Sequence, residues 1–127
     1  MQLDHFNITG PMELLDRARD FYRDVLGLED GFRPTMSKRG YWLYSEGKAL
    51  VHLYEGEPRE PLSARGLLDH IALACSNADA MIAKLQQRGL DYRISRVPEI
   101  GLTQIFVRDP AGIMLELNCT ETNGTTT

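Results

Sequence analysis

Two near-identical tetrapeptides decide the fold: LDHF at residues 3–6 and LDHI at residues 68–71, with starting points 65 residues apart (68 − 3). Between them they carry two of the three histidines in the chain. The same order of patterns follows each one. In the first half, residues 3–9 alternate as a short strand. Gly10-Pro11 breaks it, and Pro11 suits a first helical turn. Leu14, Leu15, Ala18, Phe21, Tyr22, Val25 and Leu26 then recur at helical spacing, and Gly27 closes the helix. A short strand is expected within 28–36. Runs at 41–44 and 49–54 read as strands around a turn at 45–48.

The second half repeats this order. Residues 68–74 form a strand. Ser76 or Asn77 caps a helix through Ala80, Met81, Ile82 and Leu85, and Gly89 ends it. Strands follow at 92–94, 103–107 and 113–118, the last two joined by Asp109-Pro110-Ala111-Gly112, a turn with proline at its second position. Each half is therefore β-α-β-β-β, and the fold class is α+β. Module one is expected at 1–55 and module two at 67–119. Residues 56–66 form a linker rich in Pro, Gly and charge, and 120–127 a disordered, Thr-rich tail. One helix per small sheet leaves the other sheet face to be covered or to line a cavity.

Bulk properties narrow the partners. A chain of 127 residues with 43% hydrophobic and 25% charged residues suits one globular domain. A net charge of −4 without a basic stripe disfavours nucleic acid. No apolar run approaches the ~20 residues that span a bilayer. The opening Met1-Gln2-Leu3-Asp4-His5 lacks the basic and apolar regions of a signal peptide, so a cytoplasmic location is expected. On that ground Cys75 and Cys119 are expected to be reduced thiols. The glycosylation patterns at Asn118 and Asn123 are discounted for the same reason.

Side chains alternate faces along a strand. Phe6 and Ile8 oppose His5, Asn7 and Thr9. Val51 and Leu53 oppose His52 and Tyr54. Ile71 and Leu73 oppose His70, and Leu115 and Leu117 oppose Glu116. The apolar faces suit helix packing. Each opposite face carries one side chain able to bind a metal. His52 follows His5 by 47 residues (52 − 5), and Glu116 follows His70 by 46 (116 − 70), so both modules repeat the arrangement. A lone histidine on a polar strand face is ordinarily only a polar residue. Four such groups at repeat-related positions form an N₃O set suited to a first-row divalent ion such as Zn, Ni, Fe, Mn or Co.

These stretches, with Asp20-Phe21-Tyr22-Arg23-Asp24-Val25-Leu26-Gly27-Leu28 and Val107-Arg108-Asp109-Pro110-Ala111-Gly112, resemble the vicinal oxygen chelate superfamily of glyoxalases, bleomycin-resistance proteins and extradiol dioxygenases. The resemblance implies tandem βαβββ modules whose curled mixed sheets enclose a cavity holding a metal, with His5, His52, His70 and Glu116 as ligands. It also implies a twofold homodimer in which module one of one chain completes a site with module two of the other. The chemistry it implies is Lewis-acid activation of a small substrate chelated through vicinal oxygens, in a lyase or isomerase of the glyoxalase type. Glu116, the only carboxylate of the set, is the expected base. Asn7, Thr9, Tyr54 and Gln104 are expected to contact substrate. Glyoxalase I carries an arginine where this chain has Thr9 and an asparagine where it has Gly56, so a glutathione thioester is not the expected substrate. The alternatives are an extradiol-type dioxygenase, a fosfomycin-type thiol transferase, and a metal-free protein that sequesters a ligand.

Overall fold

The computed structural model describes residues 1–57 and 67–120. The chain divides into two compact units, Met1–Gly66 and Leu67–Thr127. Most of the expected linker and all of the tail after Thr120 lie outside the described residues, as does the glycosylation pattern at Asn123.

The first unit runs β1 (Phe6–Gly10), α1 (Met12–Asp24), β2 (Glu29–Asp30), β3 (Gly40–Ser45) and β4 (Lys48–Glu55). Pro11 is the N-cap residue of α1, with extended backbone. At the other end Gly27 adopts φ +81°, which lets the Leu28 amide donate to the Tyr22 carbonyl at 2.9 Å. Leu15, Ala18, Phe21, Tyr22 and Val25 are buried, as the helical spacing requires, against Ile8, Leu43, Val51 and Leu53 of the sheet. Burying each of the larger aliphatic and aromatic side chains among them contributes about 1.5–3 kcal/mol. Strand order is β1-β4-β3-β2, with β1 parallel to β4 and the other pairs antiparallel. A Cβ at Gly40 would collide with the Leu53 carbonyl oxygen, so only glycine lets β3 pair there.

The second unit repeats the plan: β5 (Ile71–Cys75), α2 (Ala78–Gln87), β6 (Arg93–Val97), a 3₁₀ turn (Pro98–Ile100), β7 (Leu102–Arg108) and β8 (Met114–Thr120). Strand order is β5-β8-β7-β6. Asn77 rather than Ser76 caps α2, its side-chain oxygen accepting from the Ala80 amide at 3.0 Å. Leu85 packs with Ile105, Val107, Leu115 and Leu117 in the core. The turn before β8 is held by Asp109, whose Oδ1 accepts from the Ala111 and Ile113 amides. No helix among the described residues is long and apolar enough to cross a membrane.

The two βαβββ modules are thus present, each as a four-stranded mixed sheet that does not close on itself. Three expectations need correction. His5 and His70 do not lie inside strands; each stands one residue before one, because ladder pairing begins at Phe6 and Ile71. Thr120 is the last residue of β8 rather than part of a tail. Cys75 and Cys119 are not free thiols. They are paired in register at the ends of parallel β5 and β8, with Cα atoms 4.4 Å apart, and are joined as a disulfide.

Candidate metal-ligand pairs

Both sheets place the first and last strands of the module side by side. In unit one, Asn7 faces His52 across β1 and β4, and His5 stands two residues before Asn7. In unit two, Ala72 faces Glu116 across β5 and β8, and His70 stands two residues before Ala72. The structural relation of His5 to His52 is therefore that of His70 to Glu116. Core burial alternates as read from the sequence: Val51 and Leu53 bracket His52, and Leu115 and Leu117 bracket Glu116.

The aspartate preceding each histidine sets its ring. Nδ1–H of His5 donates to Asp4 Oδ2 at 2.7 Å, and Nδ1–H of His70 donates to Asp69 Oδ2 at 2.8 Å. A carboxylate can only accept, so this bond fixes the proton on Nδ1 and leaves Nε2 as the ligand atom. The hydrogen bond from His5 lowers the Asp4 pKa. The recurrence of Asp-His in both tetrapeptides is the sequence signal of this pairing.

Unit two brings three expected residues together. His70 Nε2 is 3.2 Å from Glu116 Oε1, and Gln104 Nε2 donates to Glu116 Oε2 at 3.0 Å. The Glu116 side chain is 12% exposed, and that of His70 38%. Metal–ligand bonds of about 2.1 Å place neighbouring donor atoms roughly 3 Å apart, so this pair fits two adjacent ligands of one ion. With a proton on Nε2 instead, the same contact is an ion pair. The His70 pKa is raised, first by the Asp69 hydrogen bond and then by the Glu116 charge, against a smaller cost of burial than the first of these. Asn118, two residues beyond Glu116, has a buried Oδ1 without a hydrogen-bond partner among the described residues.

Unit one is arranged differently. The His5 and His52 rings stack with centroids 3.7 Å apart at 11°, and Trp42 stacks on the other face of His52 at 4.0 Å and 12°. The His52 Nε2–H donates to the Ala49 carbonyl at 3.1 Å. Burial lowers the His52 pKa, helped by the neighbouring His5 and opposed by the Ala49 bond. Parallel rings send their in-plane lone pairs side by side rather than toward one point, so a shared ion needs one ring to turn. Trp42 was not expected to contact an expected ligand. Asn7 Nδ2 donates to Thr9 Oγ1 at 2.7 Å, and Tyr54, opposite Thr9, has its hydroxyl 3.4 Å from Ser37 Oγ. Tyr41, next to Trp42 on β3, is directed to the helix, where its hydroxyl donates to Asp16. No group of three or more His, Cys, Asp and Glu side chains placed to hold a metal is found among the described residues.

The family profile of the Glyoxalase/Bleomycin resistance protein/Dioxygenase superfamily matches residues 2–117, and the chain belongs to that family. A curated relative, Glyoxylase I 4 of Arabidopsis thaliana, is 33% identical over 113 residues, covering 83% of this chain. The chain spans 64% of that relative's length. Among solved structures, lactoylglutathione lyase from Agrobacterium tumefaciens superposes with a TM-score of 0.65 at 20% identity, covering 93% of this chain and 92% of that one. A fosfomycin resistance protein from Listeria monocytogenes, complexed with Mn(II), gives a TM-score of 0.70 at 14% identity, covering 94% and 92%. These structural likenesses speak to the fold.

Proposed function

We propose that the chain is a divalent-metal-dependent enzyme of the glyoxalase type, a lyase or isomerase acting on a small substrate with two neighbouring oxygens. The observation that supports it most is the His70–Glu116 pair, with Nε2 and Oε1 at 3.2 Å and Nδ1 already committed to Asp69. In this reading His5, His52, His70 and Glu116 form the ligand set, and it is completed in a homodimer by module one of one chain and module two of a second copy. The bound ion supplies Lewis acidity to the chelated oxygens. Glu116 holds the proton taken from the substrate carbon, and Gln104 keeps the carboxylate oriented through Oε2. Asp4 and Asp69 hold the two imidazoles in the tautomer that presents Nε2. Asn7, Thr9 and Tyr54 are proposed substrate contacts.

The enclosure of His52 favours a second reading. Sandwiched between His5 and Trp42 and bonded to Ala49, it serves there as a packing group for His5. His5, His70 and Glu116 alone form a three-ligand set, which leaves room for thiol transfer or dioxygen chemistry.

The test is an activity screen of the purified protein on thiol adducts of 2-oxoaldehydes and on acyl-CoA epimers. The protein is stripped with chelator, then reloaded with Zn, Ni, Co, Mn or Fe(II). Turnover lost on stripping, restored by an ion and abolished in Glu116→Gln is the expected result. Turnover indifferent to chelation would overturn it.

A further inference from the structure

The second unit contains a cleft, open to solvent, of about 450 Å³, within the range of small-molecule sites. Its lining includes Tyr92, Arg93, Phe106, Arg108 and Met114, with Asp91 at its edge. Residues paired directly across strands share a face. Arg93 pairs with Phe106, Phe106 with Glu116, and Arg108 with Met114, which lies two residues before Glu116 on β8. Arg93, Phe106, Arg108 and Met114 therefore stand on the sheet face that carries Glu116, with Met114 on the same strand, Phe106 and Arg108 one strand away and Arg93 two.

The cavity is built for a particular chemistry. The Arg93 guanidinium lies over the Phe106 ring at 4.2 Å, so its flat face is covered while its in-plane donors stay free. It has no hydrogen-bond or ion-pair partner among the described residues. Arg108 gives one donor to the Gly112 carbonyl at 2.8 Å, which holds its head in place and leaves the others. Two guanidinium groups against the single Asp91 carboxylate leave the lining net positive. Phe106 and Met114 supply an apolar wall between the arginines and Glu116.

We propose that this cavity binds the oxyanionic end, a carboxylate or phosphoryl group, of a small substrate whose apolar body crosses Phe106 and Met114 toward Glu116. This deepens the enzymatic reading above and rests on it for the term substrate. Arginine forks match such groups with paired N–H donors. Arg93 is the principal anchor and Arg108 the second.

The test follows amide shifts of the full-length protein in ¹H–¹⁵N spectra at constant ionic strength. The probes are benzoate, phenylphosphonate and the neutral benzyl alcohol, each with chelator and after metal loading. Benzoate or phenylphosphonate should shift Arg93, Phe106, Arg108 and Met114, and whichever binds more tightly identifies the preferred oxyanion. Benzyl alcohol should bind about tenfold more weakly or worse. Arg93→Gln should weaken the oxyanions by about tenfold or more, and Arg93→Lys should keep part of the affinity. Equal binding of the neutral probe, or wild-type affinity in Arg93→Gln, would overturn the proposal. The two readings fail separately. Oxyanion binding in protein that takes up no metal would sink only the metal site, and metal uptake without oxyanion binding would sink only this cavity.

Discussion

The two units share a backbone plan and differ in what that plan delivers. Each begins with an Asp-His pair whose carboxylate fixes the ring, and each sets beside it a residue from the last strand. In unit two that residue is a carboxylate, and it meets His70 atom to atom. In unit one it is an imidazole, and it meets His5 face to face under a tryptophan. The lesson is that duplication preserves position while one substitution changes the kind of contact. A carboxylate draws a neighbouring imidazole into an in-plane bond, whereas a second imidazole and an indole favour stacking.

The sharpest way to break this comparison is to remove both last-strand residues in turn. Glu116→Ala should lower metal affinity by more than about 100-fold, beyond the loss typical of an outer partner. His52→Ala should cost far less if stacking is its main contact. Equal losses, read by competition with a metal indicator, would mean that His52 ligates as Glu116 does.

The disulfide separates the units next, since only unit two has one. It closes a separation of 44 residues between Cys75 and Cys119, for which loop entropy suggests up to about 4 kcal/mol. Urea unfolding of Cys75→Ser/Cys119→Ser should show a midpoint well below that of the oxidised protein. Two free thiols titrating in unreduced, denatured wild type would contradict the pairing.

The aspartates test the feature that the units share. Asp69→Asn and Asp4→Asn should each weaken metal binding about 10- to 100-fold. A large effect at Asp69 with none at Asp4 would leave His5 without the proposed role.

The smallest effect lies in proton affinity, measured on chelator-treated protein. His70 should titrate above 6.5 and His52 below it. The signs oppose. His70 gains a proton more readily when folded, so its contribution is complete below its unfolded pKa and is lost as pH rises through the raised value. The His52 contribution is present above its unfolded pKa and is lost as pH falls through the lowered one. Trp42→Ala, by uncovering the ring, should move His52 upward in an NMR titration.

Much of the fold was legible because it rests on periodicity. The alternation at Val51 and Leu53 and at Leu115 and Leu117, and the helical spacing from Leu15 to Val25, reappear as buried residues. Strand β2 was weak because it is only Glu29–Asp30 and exposed. The strand ends at Phe6 and Ile71 depend on where a partner begins to pair, which no local pattern records. The disulfide is not legible in the sequence because redox compartment carries no information on proximity, which arises from the β5–β8 register. The Trp42–His52–His5 stack depends on side-chain rotamers across three strands, and composition carries no trace of it. The cavity at Arg93 and Phe106 likewise needed the β6–β7 register.

The central claim is that the repeated Asp-His pair delivers imidazole nitrogen to a divalent ion together with Glu116. The most direct measurement is the metal content of the purified protein beside His70→Ala, after equilibration with Zn, Ni, Mn and Fe(II) and removal of loosely held ions. The account predicts about one first-row ion per chain in the wild type and little or none in the variant. No retained ion in the wild type, or the same content in His70→Ala, would contradict it.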